Sequence, residues 1–420
     1  MGLKVHRRCC ALLALLIVAL LPQLIKSQSK RLVCGYGSDS AAQDGYPPDY
    51  IPLEVCKDVI FKAFWFPKTV GRQMLFNDND KRAFSNLVSS VRRRSSNARV
   101  IASIKGSQID YSTVASIGSR RRAFVQVVGT LLLELDADGV EINWNYPGGT
   151  QEFGGSDFDR ISMVLLLQDL RQMVTAASGS IRGRNRELWF RVSIHPNAIT
   201  DSYNVPEVCE LADVVTVDAK EVTGGDSHAP MHSKPIQLPR IPAALGGISL
   251  PQTIDNKYDI TDSTQLWIDN GCPPKKMLLA IALFGVSYQY SNMYANFFGS
   301  SFSNLRSLGT VKKVEPYRKL CESLRQYGWS RRWDPYGLMP YATRIVQSGL
   351  EERVSYDDVT SLRYKMDLVQ QKRLGGVYLD YVHWDDVYGR CGAQSYPLTS
   401  YVASRLQSIP SDIGFAIEWS

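Results

Sequence analysis

Asp138-Gly139-Val140-Glu141-Ile142-Asn143-Trp144-Asn145-Tyr146-Pro147 decides how this 420-residue chain is read. Leu131 to Leu135 run into it as the apolar end of a helix, and Pro147-Gly148-Gly149 stop it, so the segment between reads as a strand. Side chains on a strand alternate. Glu141, Asn143 and Asn145 therefore share one face, and Val140, Ile142 and Trp144 the other. Burying three polar side chains without partners costs ~1–3 kcal/mol each, so their face must look into a polar cavity. A barrel interior or the floor of a site supplies one.

Outward from this strand, further apolar runs alternate with helical patterns. Strands are expected at Arg31 to Tyr36, Asp58 to Phe64, Arg99 to Ile104, Trp189 to Ile194, Asp213 to Ala219, Lys276 to Phe284 and Gly375 to Val382. Helices are expected at Phe76 to Arg94, Ser119 to Leu135, Ser156 to Ala177, Thr261 to Asn270, Tyr356 to Arg373 and Pro397 to Gln407. In the first of these, Phe84, Leu87, Val88 and Val91 recur at helical spacing. Gly, Pro and Ser dominate residues 224–251, which read as a long loop. The βα rhythm breaks over residues 286–350, rich in Tyr, Phe, Ser and Gly. Lys62 interrupts an apolar strand and needs a partner or water.

Composition is that of a globular chain, 44% hydrophobic and 21% charged. Lys4, Arg7 and Arg8 precede an apolar run from Ala11 to Leu21, the pattern of a secretory signal occupying residues 1–28. The run is short for a bilayer span, and no later stretch is expected to cross a membrane once the signal is cleaved. Without Lys4, Arg7, Arg8 and Lys26, the 48 basic residues fall to 44 against 41 acidic ones, a net of +3. The basic balance thus gives no reason to expect nucleic-acid binding. Loss of Cys9 and Cys10 leaves six of eight cysteines, and an even count in a secreted chain suggests disulfides. There is no C-x-x-C and no His/Cys cluster, so neither metal nor cofactor is expected.

The order of these features resembles the family-18 glycoside hydrolases, the chitinases. Their strand-4 signature, D-x-x-D-x-D-x-E in a frame like F-D-G-L-D-L-D-W-E-Y-P, survives here as Asp138-Gly139, Trp144 and Tyr146-Pro147. Ser103-Ile104-Lys105-Gly106 matches S-I-G-G with Lys105 for a glycine, and Ser107 stands in place of a tryptophan. The resemblance implies an α/β fold, a (β/α)8 TIM barrel with a small α+β insertion between strand 7 and its helix. Residues 30–285 and 351–420 would form the barrel and 286–350 the insertion. It also implies the bridges Cys34–Cys56 and Cys321–Cys391, which leave Cys209–Cys272 as the third pair.

The chemistry of the signature is not retained. Glu141 stands at the second Asp, Asn143 at the third and Asn145 at the catalytic Glu, so Asp138 begins a degenerate motif. A glycosidase must protonate the leaving oxygen, an amide has no proton to give near neutral pH, and loss of a general acid costs roughly 10²–10⁴ in rate. Strand 6 ends Asp218-Ala219-Lys220-Glu221 where the family has M-x-Y-D, and Asp380 takes the place of the strand-8 tryptophan beneath the sugar.

These residues define the expected site: Glu141, Asn143, Asn145, Tyr146, Asp218, Lys220, Glu221 and Asp380, with Lys62 and Lys105 nearby. Either they bind a ligand other than chitin, or the acids and lysines pair and plug the barrel mouth. Loops at the opposite end carry Arg92, Arg93, Arg94, Arg182, Arg184, Arg186, Lys275 and Lys276, candidates for a sulfated polysaccharide. The expected function is a secreted, extracellular, non-catalytic binding protein whose partner is a glycan or another protein. The family's inactive members imply a growth- or immune-modulating range. The alternatives are an enzyme rebuilt on Glu141, Glu221 or Asp380, and a structural or storage protein.

Overall fold

The computed structural model describes residues 30–409, apart from 71–72, 145–146, 149–154, 178–183, 221–227, 234–235, 238–252, 255–258, 291–312, 327, 347–350 and 393. In chain order, the strands are β1 (Arg31–Tyr36), β2 (Asp58–Trp65), β3 (Lys68–Val70), β4 (Gln73–Leu75), β5 (Arg99–Lys105) and β6 (Gly139–Asn143). Then come β7 (Glu187–Ser193), β8 (Val214–Asp218), β9 (Ile236–Gln237), β10 (Thr253–Ile254), β11 (Met277–Ala282) and β12 (Phe284–Tyr290). The last five are β13 (Lys313–Pro316), β14 (Ser330–Asp334), β15 (Met339–Ile345), β16 (Glu351–Ser355) and β17 (Gly376–Asp380).

Eight parallel strands close into a barrel in the order β1-β17-β11-β8-β7-β6-β5-β2. Helices surround it, among them Asp78–Arg94, Gly118–Glu134, Asp159–Ala177 and Val359–Gln371. This is the (β/α)8 barrel that the sequence predicts. Strands that read as apolar runs are buried on both faces, as parallel strands under helices must be. Their outward side chains, Val140 and Ile142 on β6 among them, join the main core against the helices, as does Trp144 just after β6. Trp144 stacks on Tyr111 at 5.2 Å and donates from Nε1 to Gln108 Oε1 at 2.7 Å, a structural role.

The inward side chains stack in layers. At the bottom, Arg31 meets Asp58 and Glu187. Above them lies an apolar layer of Val33, Ile60, Ile101, Trp189, Val214, Leu278, Ala280 and Tyr378. Two glycines permit this closeness. A Cβ on Gly139 would lie 2.3 Å from the Glu187 carbonyl oxygen, and one on Gly35 would lie 2.7 Å from the Tyr378 hydroxyl.

Between Phe61 and Phe64 the β2–β5 register shifts, so that Lys62 and Ala63 stand opposite Ser103 alone. This bulge lets Phe61 and Phe64 both pack outward into the aromatic core while Lys62 turns inward. No element prediction anticipated it.

Strands β12 to β16 form a separate antiparallel sheet in the order β13-β12-β16-β15-β14, beside the helix Tyr317–Ser323. The sheet begins at Phe284, directly after barrel strand β11, and ends at Ser355, before the helix Val359–Gln371. The bridges Cys34–Cys56, Cys209–Cys272 and Cys321–Cys391 are all formed. Cys209 lies on the helix Val205–Leu211 just before β8, and Cys272 just before β11. Among the described residues no helix is long and apolar enough to cross a membrane.

Candidate functional site

Above the apolar layer the lumen becomes ionic. Lys62, Glu141, Arg191, Asp218 and Asp380 project into it from β2, β6, β7, β8 and β17, and Lys220 from the loop after β8. Lys62 Nζ contacts Asp380 Oδ1. Lys220 Nζ donates to Asp218 at 2.7 Å and lies 4.0 Å from Asp380. Arg191 Nε donates to Glu141 Oε2 at 3.4 Å, and its Nη1 lies 3.6 Å from Asp218. Ser103 Oγ donates to Glu141 Oε2 at 2.6 Å. The Arg191 guanidinium rests on Tyr378 at 4.4 Å, and the Lys62 ammonium on Tyr381 at 4.0 Å. Tyr381 adopts the left-handed conformation (φ 57°) immediately after Asp380.

The electrostatics follow from burial and proximity. For Asp218, burial alone would raise the pKa, but Lys220 and Arg191 outweigh it and hold the carboxyl at about 2. For Lys62, burial and then the nearby Lys220 and Arg191 push the pKa well below the usual lysine range. The Tyr378 hydroxyl is driven well above its ordinary value, mainly by burial. The layer is also incompletely bonded. Glu141 Oε1, Asp380 Oδ2 and both Arg191 Nη atoms are buried with no hydrogen bond in the structure, an arrangement suited to bridging water or a polar ligand.

Of the expected site residues, Glu141, Asp218, Lys220, Asp380 and Lys62 converge here. Asn143 is half-buried at the end of β6, one layer higher. Asn145, Tyr146 and Glu221 lie outside the described residues. Lys105 does not enter the paired layer: it is exposed, with its ammonium 5.2 Å from the centre of the Trp65 ring. Asp138 sits at the opposite end of the strand, where its Oδ2 accepts from Val100 N at 2.7 Å and Arg92 at 2.5 Å. Sequence reasoning missed Arg191. The signal was the one that flagged Lys62, a cation in a strand whose other inward residues, Trp189 and Ser193, are uncharged.

At the other end, most of the candidate basic residues bond to the protein's own backbone. Arg186 is buried and donates to Ala137 O at 2.9 Å. Arg92 and Arg184 donate to Ala98 O, Asp136 O, Asn97 O and Ser96 O, and Arg94 to Pro48 O and Ile51 O. Lys276 binds Cys209 O and Ala212 O. These cations bond to backbone carbonyls near helix ends and in loops. Arg93 remains exposed against Asp49, and Lys275 is exposed. Arg182 lies outside the described residues. Cys321 and Cys391 lie close to Asp386, but both sulfurs belong to the disulfide and do not form a metal site.

A barrel lined at its carboxyl-terminal mouth by strand-end carboxylates is the scaffold of a glycosidase-type protein. Residues 31–380 match the glycosyl hydrolases family 18 model, and the chain belongs to that family. It is 26% identical over 422 residues to an endochitinase of Manduca sexta, across 95% of this chain and 71% of that protein's length. A group IV chitinase of Ostrinia furnacalis superimposes with a TM-score of 0.72 at 23% identity, over 90% of this chain and 99% of that one. Human YKL-39, a pseudo-chitinase with retained chitooligosaccharide binding properties, superimposes with a TM-score of 0.70 at 19% identity, over 90% of this chain and 100% of that one.

Proposed function

We propose that this chain is a secreted, non-catalytic binding protein on a chitinase barrel, with an extracellular glycan or protein as its partner. The observation that carries this reading is the contact between Lys62 and Asp380. It fills the level where the family resemblance places an apolar tryptophan floor. Cleavage needs a carboxylic acid still protonated near neutral pH. The sequence has Asn145 at the acid position and Asn143 at its helper, and Asp218, held at about 2, is an anion. Three disulfides and the basic-then-apolar start of the chain support secretion.

Reversion tests the reading. Asn145→Glu alone should leave chitohexaose uncleaved, because Asn143, Lys220 and Asp380 also depart from what the reaction needs. Strong turnover by that single variant would mean that the floor still accepts the substrate and would overturn the proposal.

A further inference from the structure

The ionic layer of the lumen forms a chamber whose charged atoms the protein itself only partly satisfies. Arg191 and Glu141 are 1% and 0% exposed. Among the described residues, both Arg191 Nη atoms, Glu141 Oε1 and Asp380 Oδ2 make no hydrogen bond. Arg191 Nη1 stands 3.6 Å from Asp218 Oδ1, beyond hydrogen-bond range. Thr216 belongs with them. Inward side chains alternate along β8, so Thr216 lies between Val214 of the apolar layer and Asp218. It stands beside Arg191 in the β7–β8 register. It is fully buried, and its hydroxyl has no hydrogen bond either. Buried polar groups are almost always bonded, so their concentration in one layer points to a ligand.

The unbonded atoms are of two kinds. Arg191 offers the outer edge of a guanidinium, a fork that matches a carboxylate. Glu141, Asp380 and Thr216 offer oxygens, which match the three donors of an ammonium. A hydroxyl brings a single donor, whereas a carboxylate takes both guanidinium nitrogens at once. Formal charges in the layer already cancel, with Lys62, Arg191 and Lys220 against Glu141, Asp218 and Asp380. A net anion or cation would bring in an uncompensated charge, which burial penalises; a molecule carrying both charges would not. The ligand must also be small. Other inward positions around it are Ser103, Ala280 and Ala282, so the space between the ionic side chains is bordered by short ones. The layer opens toward the barrel mouth at Lys220, whose side chain is 22% exposed.

Resting on the non-catalytic reading above, since a cleaving barrel would have to seat a sugar ring at this level, we infer that the chamber binds a small free amino acid as its zwitterion. The carboxylate sits on the Arg191 fork, and the ammonium among Glu141 Oε1, Asp380 Oδ2 and Thr216 Oγ1.

The test is calorimetric titration of the mature protein with L-alanine and with its two halves, propionate and ethylamine. L-Alanine should saturate the protein and bind at least about tenfold more tightly than either half, because each half leaves one set of buried charges unbonded. Thr216→Val removes an oxygen at nearly constant shape. It should weaken L-alanine about fivefold with no loss of thermal stability. Glu141→Gln should weaken it about tenfold, while Trp65→Ala, at an exposed ring on the rim, leaves it unchanged. Propionate or ethylamine binding as tightly would overturn the inference. So would L-alanine binding that neither Thr216→Val nor Glu141→Gln weakens. Absence of saturable L-alanine binding would show that water alone serves these atoms, and would overturn it as well. A parallel titration with chitohexaose separates the two readings. If the hexamer is hydrolysed, it is the non-catalytic reading that fails; if it stays intact while L-alanine does not bind, this inference alone fails.

Discussion

The two ends of the barrel lumen are both ionic, and they are built differently. At the amino-terminal end, Arg31 lies over Trp189 at 4.8 Å and donates from Nη2 to Asp58 at 2.7 Å and Glu187 at 3.0 Å. Arg99 stands 2.9 Å from the same glutamate. At the carboxyl-terminal end, Arg191 lies over Tyr378 but reaches Glu141 and Asp218 only at 3.4 and 3.6 Å, and two of its nitrogens lack hydrogen bonds. The lower cluster is tightly bonded, with both of its arginines on Glu187. The upper one is deeper, looser and incompletely satisfied. The contrast separates a structural clamp on strand ends from a polar chamber beneath the barrel mouth.

The largest effect should come from breaking each cluster at its arginine. Arg191→Met leaves Glu141 with only the Ser103 hydroxyl, and loss of one partner from a buried pair costs about 3–5 kcal/mol. Arg31→Met leaves Arg99 in place and should cost about 1–3 kcal/mol. Urea denaturation of both variants compares them directly, and equal losses would erase the distinction between clamp and chamber.

Next comes the pair that fills the floor. Asp380→Trp restores the ring the family resemblance expects but strands the Lys62 amine beneath it. It should destabilise by about 2–4 kcal/mol, and adding Lys62→Ala should recover at least half of that. Failure of the double variant to recover would show that the two residues are not coupled.

A smaller effect lies in acid. The Asp218 pKa falls from the usual carboxylate value to about 2 in the folded protein. Its contribution is therefore present above pH ~3.8 and lost as the pH drops through about 2, amounting to ~2 kcal/mol in all. Asp218→Asn should flatten the fall in stability between pH 4 and 2. An unchanged slope would mean that Lys220 and Arg191 do not hold the carboxylate as described. Smallest of all, Arg93→Glu removes an ion pair whose arginine is 64% exposed and should shift the urea midpoint by no more than ~0.5 kcal/mol equivalent.

Much of this was legible in the sequence. The period-two pattern around Glu141 and the apolar runs located all eight barrel strands, and the three polar residues on one face called for a polar lumen. What escaped were features that depend on neighbours. The bulge at Lys62-Ala63 is a one-residue shift that matters only against Ser103 on the next strand. Trp65 was lost because the strand was read to end at Phe64, one residue short of the rim. Arg191 was passed over inside an apolar run, although Trp189, Arg191 and Ser193 share a face just as Lys62 shares one with Ile60. The engagement of the arginines at the other end was not legible because a sequence shows cations but not the backbone carbonyls they meet; the oxygens of Asn97 and Ala98, just before β5, and of Ala137, just before β6, take them.

The most direct test of the central claim is to incubate the mature wild-type protein with chitohexaose near neutral pH and follow the oligomer lengths by mass spectrometry. A chain whose sequence has amides at the acid and helper positions, and whose barrel lumen holds the Lys62–Asp380 pair, should leave the hexamer intact over days. Steady release of dimers and trimers would show a working general acid and contradict the account.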